Sequence, residues 1–153
     1  MDEPERKAFN QRNIAEFRSS GGRIESFGDA PVLLLTTRGR RSGEPRTSPL
    51  MYLADEDDRD RVYVFASAAG ASRDPAWLHN LVAAPDAVTV EIGRETVKAS
   101  AQVLSGERRD AIYAIQAQRF PAFAGYQAKT SRRIPVVALT LDGGSQAARS
   151  AEL

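Results

Sequence analysis

The spacing of apolar and polar positions divides the chain into helices and short strands. Phe9, Ile14 and Phe17 share one stripe of a helix expected over 4–20, with acidic residues in its first turn and Gly21-Gly22 at its end. Strands are then expected at 32–37, from about 47 to 54, and at 61–66. The first two are joined by a Gly/Ser/Pro-containing segment that reads as a hairpin. Pro75 suits the first turn of a helix running to about 84, with Asp74 as its expected N-cap and Trp77, Leu81 and Val82 as its expected apolar face. Two further alternating segments, 87–92 and 95–104, flank Gly93-Arg94 as a second hairpin. Ser105 is placed to cap a helix over 106–118, with Ile112 and Ile115 inward. A last strand is expected at 134–141, with Pro135 at its beginning.

The order helix, three strands, helix, two strands, helix, strand points to an α+β fold. Six mostly antiparallel strands can close into a small barrel. No internal repeat or domain boundary interrupts the pattern. The expected organisation is an N-terminal helix and turn (1–22), one barrel domain (23–141) and a flexible tail (142–153) rich in Gly, Ser and Ala.

Composition narrows the chemistry. The 153 residues suit one domain, and a net charge of +1 leaves any anion site to local clustering. With no cysteine and one histidine, thiolate catalysis, disulfides and a multi-histidine metal site are excluded. His79 has no evident carboxylate partner and reads as a surface or structural residue. The acidic stretch 55–60 (DEDDRD) lacks the glycine and bidentate glutamate of an EF-hand loop and reads as a solvated hairpin tip. No apolar stretch is long enough to span a bilayer and the acidic start is unlike a secretory signal, so a cytoplasmic protein is expected. A membrane-surface contact through the N-terminal helix stays open.

The unusual stretch is the first hairpin turn, where Arg38, Arg40, Arg41 and Arg46 crowd around Gly39, Ser42, Gly43, Thr47 and Ser48. Guanidinium forks fit phosphate and carboxylate oxygens, and Gly and Ser let backbone N–H groups approach an anion. A basic solvated turn is the plain alternative, and neither a Walker loop nor a dinucleotide fingerprint is present. Residues 66–71 (ASAAGA) are small enough for a flat or bulky group to approach the backbone, or are merely a flexible connection. Phe120, Phe123 and Tyr126 recur at spacings of three, as a core lid or as a pocket wall. No nucleophile–base pair or carboxylate dyad stands out, as expected of a protein that leaves the hard chemical step to a cofactor.

The hairpin L-L-T-T-x-G-R-x-S-G-x-x-R-x-x-P-L, the segment DPAWLHNL (74–81) and the segment YQAKTSRRIPVV (126–137) resemble, in order, the signature of the deazaflavin (F420)-dependent nitroreductase family. The resemblance covers roughly 14–141. It implies a split β-barrel oxidoreductase that passes a hydride from reduced F420 to an electron-poor acceptor such as a quinone, an enone or a nitro compound. By this analogy Arg38, Arg40, Arg41, Ser42 and Arg46 hold the cofactor's phosphate and acidic tail. Ser67, Ala68, Ala69 and Gly70 line its ring, and Arg73, Trp77 and Asn80 complete the pocket. Lys129 and Arg132 add charge nearby. Tyr126 or Ser67 supplies or orients a proton, with Phe120, Phe123 and Tyr126 about the acceptor.

Some relatives carry tyrosines at the positions of Phe120 and Phe123, and many carry Lys or Gly at that of Ala68. Poor reduction of nitro compounds is therefore expected. An FMN-binding split-barrel oxidoreductase and a non-catalytic deazaflavin carrier remain open as alternatives. A nucleic-acid-binding hairpin is disfavoured, because the basic turn holds no stacking aromatic. A homodimer is expected by analogy.

Overall fold

The computed structural model describes residues 3–142. Of the tail expected at 142–153, all but Asp142 lies outside the described residues. Six strands form a closed, wholly antiparallel barrel: β1 (Val32–Arg38), β2 (Pro45–Ala54), β3 (Arg61–Phe65), β4 (Val88–Ile92), β5 (Glu95–Val103) and β6 (Val136–Leu141). Their order around the barrel is β1-β2-β3-β6-β5-β4, and β1 closes the ring on β4 with Leu35 opposite Val90. The fold is the split barrel expected from the sequence.

Alternation decides which side chains fill the lumen. Val62 and Val64 of β3, Val88, Val90 and Ile92 of β4, and Val137, Leu139 and Leu141 of β6 point inward, one residue in two. The intervening Tyr63, Phe65, Val136 and Ala138 point outward into a second cluster. That outer face is covered by α3 (Gly106–Arg119) and α4 (Ala122–Lys129), which supply Tyr113 and Phe123. The first four residues of β1 are apolar without a break because both faces of the strand are covered there. Leu33 and Leu35 enter the lumen, while Val32 and Leu34 meet Phe17 and Ile24 beneath α1 (Glu3–Ser20).

The remaining helix, α2 (Ala76–Ala83), sends Trp77, Leu78 and Leu81 into the lumen cluster. Val82 was expected to join them but is 59% exposed, in the last turn of this two-turn helix. Asp74 is not its cap. Pro75 occupies the cap position without a side-chain hydrogen bond, and the Asp74 carboxylate pairs instead with Arg132 at 2.8 Å. Ser105 likewise precedes α3 in extended geometry without a capping side-chain bond. α4 is an additional helix within the aromatic segment. β6 begins two residues later than expected, because the backbone at Ile134 and Pro135 bonds outside the ladder.

α1 is polar nearly all round. It docks through Phe17, whose burial stabilises by about 2 kcal/mol, and through a two-point fork from Arg18 to Glu91 with both N···O distances at 3.0 Å. Its outward face is charged rather than apolar, and no helix among the described residues is long and apolar enough to cross a membrane.

The acidic loop between β2 and β3 is a hydrogen-bonded turn more than a solvated tip. Asp55 Oδ1 accepts the N–H groups of Asp57 and Asp58, both at 2.8 Å, and the Tyr63 hydroxyl donates to Asp55 Oδ2. Burial alone would push the Asp55 carboxyl up. The bonds from Tyr63, Asp57 and Asp58, with the charge of Arg61, outweigh it and hold the carboxyl below its ordinary value. A depressed carboxyl stabilises the fold above its unfolded pKa, and the contribution disappears as pH falls through the folded value. Asp55→Asn is therefore expected to cost about 1 kcal/mol at neutral pH after allowance for solvent screening. The gap between variant and parent should close in acid. Urea midpoints across that range check it, and a gap that widens as pH falls would contradict the assignment.

Candidate functional site

The β1–β2 turn is folded by its own backbone. Gly39 N–H donates to Glu44 O and Gly43 N–H to Gly39 O, each at 2.8 Å, and Ser42 Oγ accepts Glu44 N–H at 3.1 Å. Gly39 has no room for a side chain, since a Cβ there would stand 2.8 Å from Ser42 Oγ. Arg46 leans towards Ser42 Oγ at 3.5 Å. Among the described residues none of the guanidinium groups of Arg38, Arg40, Arg41 and Arg46 pairs with a carboxylate, although seven other arginines do. Four exposed cations outside any ion pair, with Glu44 the one carboxylate in the turn, concentrate positive potential there.

A groove opens at the side of the barrel with a volume of about 260 Å³. Pro49, Leu50 and Met51 of β2, Phe65 of β3 and Trp77 of α2 form one part of its wall, and Ser67, Ala68, Ala69, Phe123, Tyr126 and Phe27 form the rest. No carboxylate lines it. A wider cavity of about 590 Å³ adjoins it, sharing Phe27, Met51, Phe123 and Tyr126 and adding Phe9, Phe120 and Ala122. Asp29 is at the lip of that second cavity.

The wall at 67–70 has unusual backbone geometry. Ala68 and Ala69 take φ of 44° and 54°, left-handed values that cost L-residues roughly 1–2 kcal/mol each, and Gly70 follows at 81°. Such a segment persists only where its surroundings over-determine it. Here α4 packs against it so closely that a Cβ on Gly70 would lie 2.9 Å from Tyr126 O. Tyr126 is fixed in turn by an edge-to-face contact with Phe123, whose ring also meets Phe65 and Tyr113 at centroid distances of 5.2, 5.6 and 6.4 Å. Burial pushes the Tyr113 phenol up, and its hydroxyl donates to Phe123 O at 2.6 Å.

Basic turn and groove are joined by two elements. On α2, Trp77 lines the groove, and Asn80, three residues on and buried, accepts Arg40 N–H through Oδ1 at 3.1 Å. On β2, Arg46 and Leu50 are four residues apart, about 13 Å along the strand. The structure thus brings together Ser67, Ala68, Ala69, Trp77 and Tyr126 around the groove and Phe120, Phe123 and Tyr126 around the adjoining cavity. Gly70 lies buried behind the wall. Arg73 and His79 are exposed outside both linings, and Lys129 lies against Gly70.

Arg132 does not face the groove as an added charge. Its guanidinium is turned onto the carbonyls of the 66–71 segment. Sequence reasoning also missed Arg109, 7% exposed, which donates through Nε and Nη2 to Ile134 O at 3.0 and 2.8 Å and through Nη2 to Gln127 Oε1 at 2.6 Å. Its signal would have been its place one helical turn before Tyr113, on the buried face of α3.

The sequence profile described as F420H(2)-dependent quinone reductase matches residues 10–141. The F420H(2)-dependent quinone reductase of Mycobacterium tuberculosis (strain ATCC 25618 / H37Rv) is 36% identical over 133 residues, covering 82% of this chain and 85% of that protein. A solved structure described as an F420-H2 dependent reductase (FDR-A) superposes with a TM-score of 0.62 at 34% identity, covering 71% of this chain and 93% of the other. Another, described as a domain-swapped dimer, gives 0.65 at 29% identity over 90% of this chain and 99% of that one. The chain belongs to the F420H(2)-dependent quinone reductase family, oxidoreductases whose reductant is coenzyme F420.

The residues present fit that cofactor on the chemistry of the donor set. A planar heterocycle with a phosphate and a carboxylate-rich tail needs an apolar slot free of carboxylates beside a concentration of unpaired cations. Both are built here, on shared elements.

Proposed function

We propose that this chain is an F420H(2)-dependent reductase of quinones and related electron-poor acceptors. The observation that carries the reading is the carboxylate-free groove tied, through Asn80 and β2, to a turn of four arginines that form no ion pair among the described residues. Arg38, Arg40, Arg41, Arg46 and Ser42 hold the phosphate and acidic tail by charge-assisted hydrogen bonds. Ser67, Ala68, Ala69 and Trp77 form the slot for the ring, with Gly70 behind it. Asn80 fixes the turn by way of the Arg40 backbone, and Arg73 meets the cofactor from the exposed edge of the 71–75 segment. Bound there, reduced F420 supplies a hydride.

The protein's own work is to place the acceptor and deliver a proton. Phe120, Phe123, Met51 and Phe9 make the adjoining cavity largely apolar, which suits a quinone or enone. Reduction of a quinone to its hydroquinone consumes one hydride and one proton. Tyr126 lines both cavities, which supports its hydroxyl as the group that hydrogen-bonds an acceptor oxygen and donates that proton, with Ser67 as the alternative donor. Phe120 and Phe123 offer no hydroxyl to a nitro group, so nitro compounds should turn over slowly beside quinones. A cytoplasmic homodimer fits this reading, one relative of known structure being described as a domain-swapped dimer.

The test is titration of purified protein with F420H(2), FMN and NADPH at low and high salt. F420H(2) alone should bind tightly, and both added salt and the double change Arg40→Ala/Arg41→Ala should weaken it, the latter by about a hundredfold. Preference for FMN would overturn the assignment. Tight F420H(2) binding with no turnover of quinones, enones or nitro compounds would make the protein a carrier.

A further inference from the structure

The 66–74 segment carries the groove wall through consecutive left-handed residues and has no ladder of its own to hold it. Its carbonyls converge on one side chain. Arg132 donates through Nε to Ala71 O at 2.8 Å, through Nη1 to Ala66 O at 3.0 Å and through Nη2 to Ser67 O at 2.8 Å. Nη1 also meets Asp74 Oδ1 at 2.8 Å, so one guanidinium closes the loop at its start, middle and end. The side chain is only 14% exposed.

The backbone that presents Arg132 is equally pinned, although 130–135 lies in neither helix nor strand. Gln127 Nε2 donates to Arg132 O at 2.7 Å, and Gln127 Oε1 accepts Ile134 N–H at 3.0 Å. Arg109 holds both Gln127 Oε1 and Ile134 O. Gln127 follows Tyr126 directly, so the same network anchors the residue facing the acceptor and the residue shaping the cofactor wall.

We infer that Arg132 is a positioning residue: it sets the 66–74 wall against α4 before the cofactor arrives. The inference deepens the proposed function and rests on it for the identity of the cofactor. A planar fork with five donors on fixed vectors can engage three carbonyls and a carboxylate together. A lysine ammonium keeps the charge but has three donors at a single point. Charge alone and fork geometry are therefore separable by Arg132→Lys.

Hydrogen exchange on the cofactor-free protein reads the wall directly. Gly70 N–H bonds to Ser67 O at 2.8 Å and Ala71 N–H to Ala68 O at 3.0 Å, and both amides lie within the clamped loop. In Arg132→Lys these two should exchange at least about tenfold faster, while β6 amides keep parental protection, because the opening is local. In the same variant the dissociation constant for F420H(2) should rise by about tenfold or more, with the quinone KM little changed, since a wall displaced by a fraction of an ångström spoils ring placement first. Arg132→Met should show the larger effect on both. If Arg132→Met fails to fold, Arg132→Lys carries the test alone.

Parental exchange at Gly70 and Ala71 together with parental F420H(2) affinity in Arg132→Lys would overturn the inference. So would loss of β6 protection in step with the loop, which would make Arg132 a general stabiliser. If the unaltered protein does not bind F420H(2), it is the functional reading that falls. The exchange measurement needs no cofactor and still decides whether Arg132 holds the wall.

Discussion

Gly70→Ala is expected to reduce F420H(2) affinity by about a hundredfold or more, while leaving a folded barrel. Two independent effects converge on this one methyl group. The residue has φ of 81°, where a Cβ is strained whatever the space around it. The methyl would also stand 2.9 Å from Tyr126 O and 3.1 Å from Tyr126 Cα, both backbone atoms of α4 that cannot swing aside as a side-chain tip would. The loop can relieve the clash only by withdrawing from α4. That moves Ala68 and Ala69 away from Tyr126 and opens the groove that these residues line together. The barrel core does not include this contact, so the cost in global stability should stay near 1–3 kcal/mol. Titration and urea denaturation on the same sample separate the two quantities. Affinity within threefold of the parent would show that the loop tolerates the displacement and that the wall is not shaped by Gly70.

Arg109→Met should remove about 3 kcal/mol of stability. The replacement fills a similar volume but offers no donor. Ile134 O loses both of its guanidinium bonds, and Gln127 Oε1 keeps only Ile134 N–H. The Arg109 guanidinium also lies 4.5 Å from the centre of the Tyr113 ring, so a cation–π contact goes with it. In a protein of this size the loss corresponds to a fall in Tm of about 6–12 °C. A lysine at this position should recover little, because one ammonium cannot bond Ile134 O twice and reach Gln127 as well. A shift below 1 kcal/mol in urea would mean that water replaces the guanidinium, and the network would then be less dry than its burial implies.

The barrel was legible because its signals are local. Alternation in 61–65, 88–92 and 136–141 follows from side chains pointing in turn to the lumen and to the helices, and the run 32–35 is apolar throughout because β1 is covered twice. The basic turn was legible for a similar reason, since its arginines lie close together in sequence. What could not be read depends on partners far along the chain. Arg109 sits in the polar stretch GERRDA, and its bonds to Gln127 and Ile134, 18 and 25 residues later, make it a core residue. Asp74 looked like a helix cap because Pro75 follows it, and Arg132, 58 residues on, takes it instead. The left-handed conformation at Ala68 and Ala69 has no local cause, alanine being a residue that avoids it. It is imposed by α4 on one side and Arg132 on the other. Gln116 is fully buried with neither side-chain amide atom hydrogen-bonded to another described residue, and no spacing in α3 announces it.

Trp77 is the chain's one tryptophan, and it stands on the groove wall at 7% exposure. Excited at the red edge of its absorption, where the four tyrosines do not absorb, this single indole reports from the groove wall. A conjugated planar guest seated against Ala68 and Ala69 lies beside the indole and quenches its emission, whereas unfolding exposes the ring and shifts the emission to the red. One unlabelled sample can thus report occupancy of the groove and integrity of the barrel as two distinguishable optical signals.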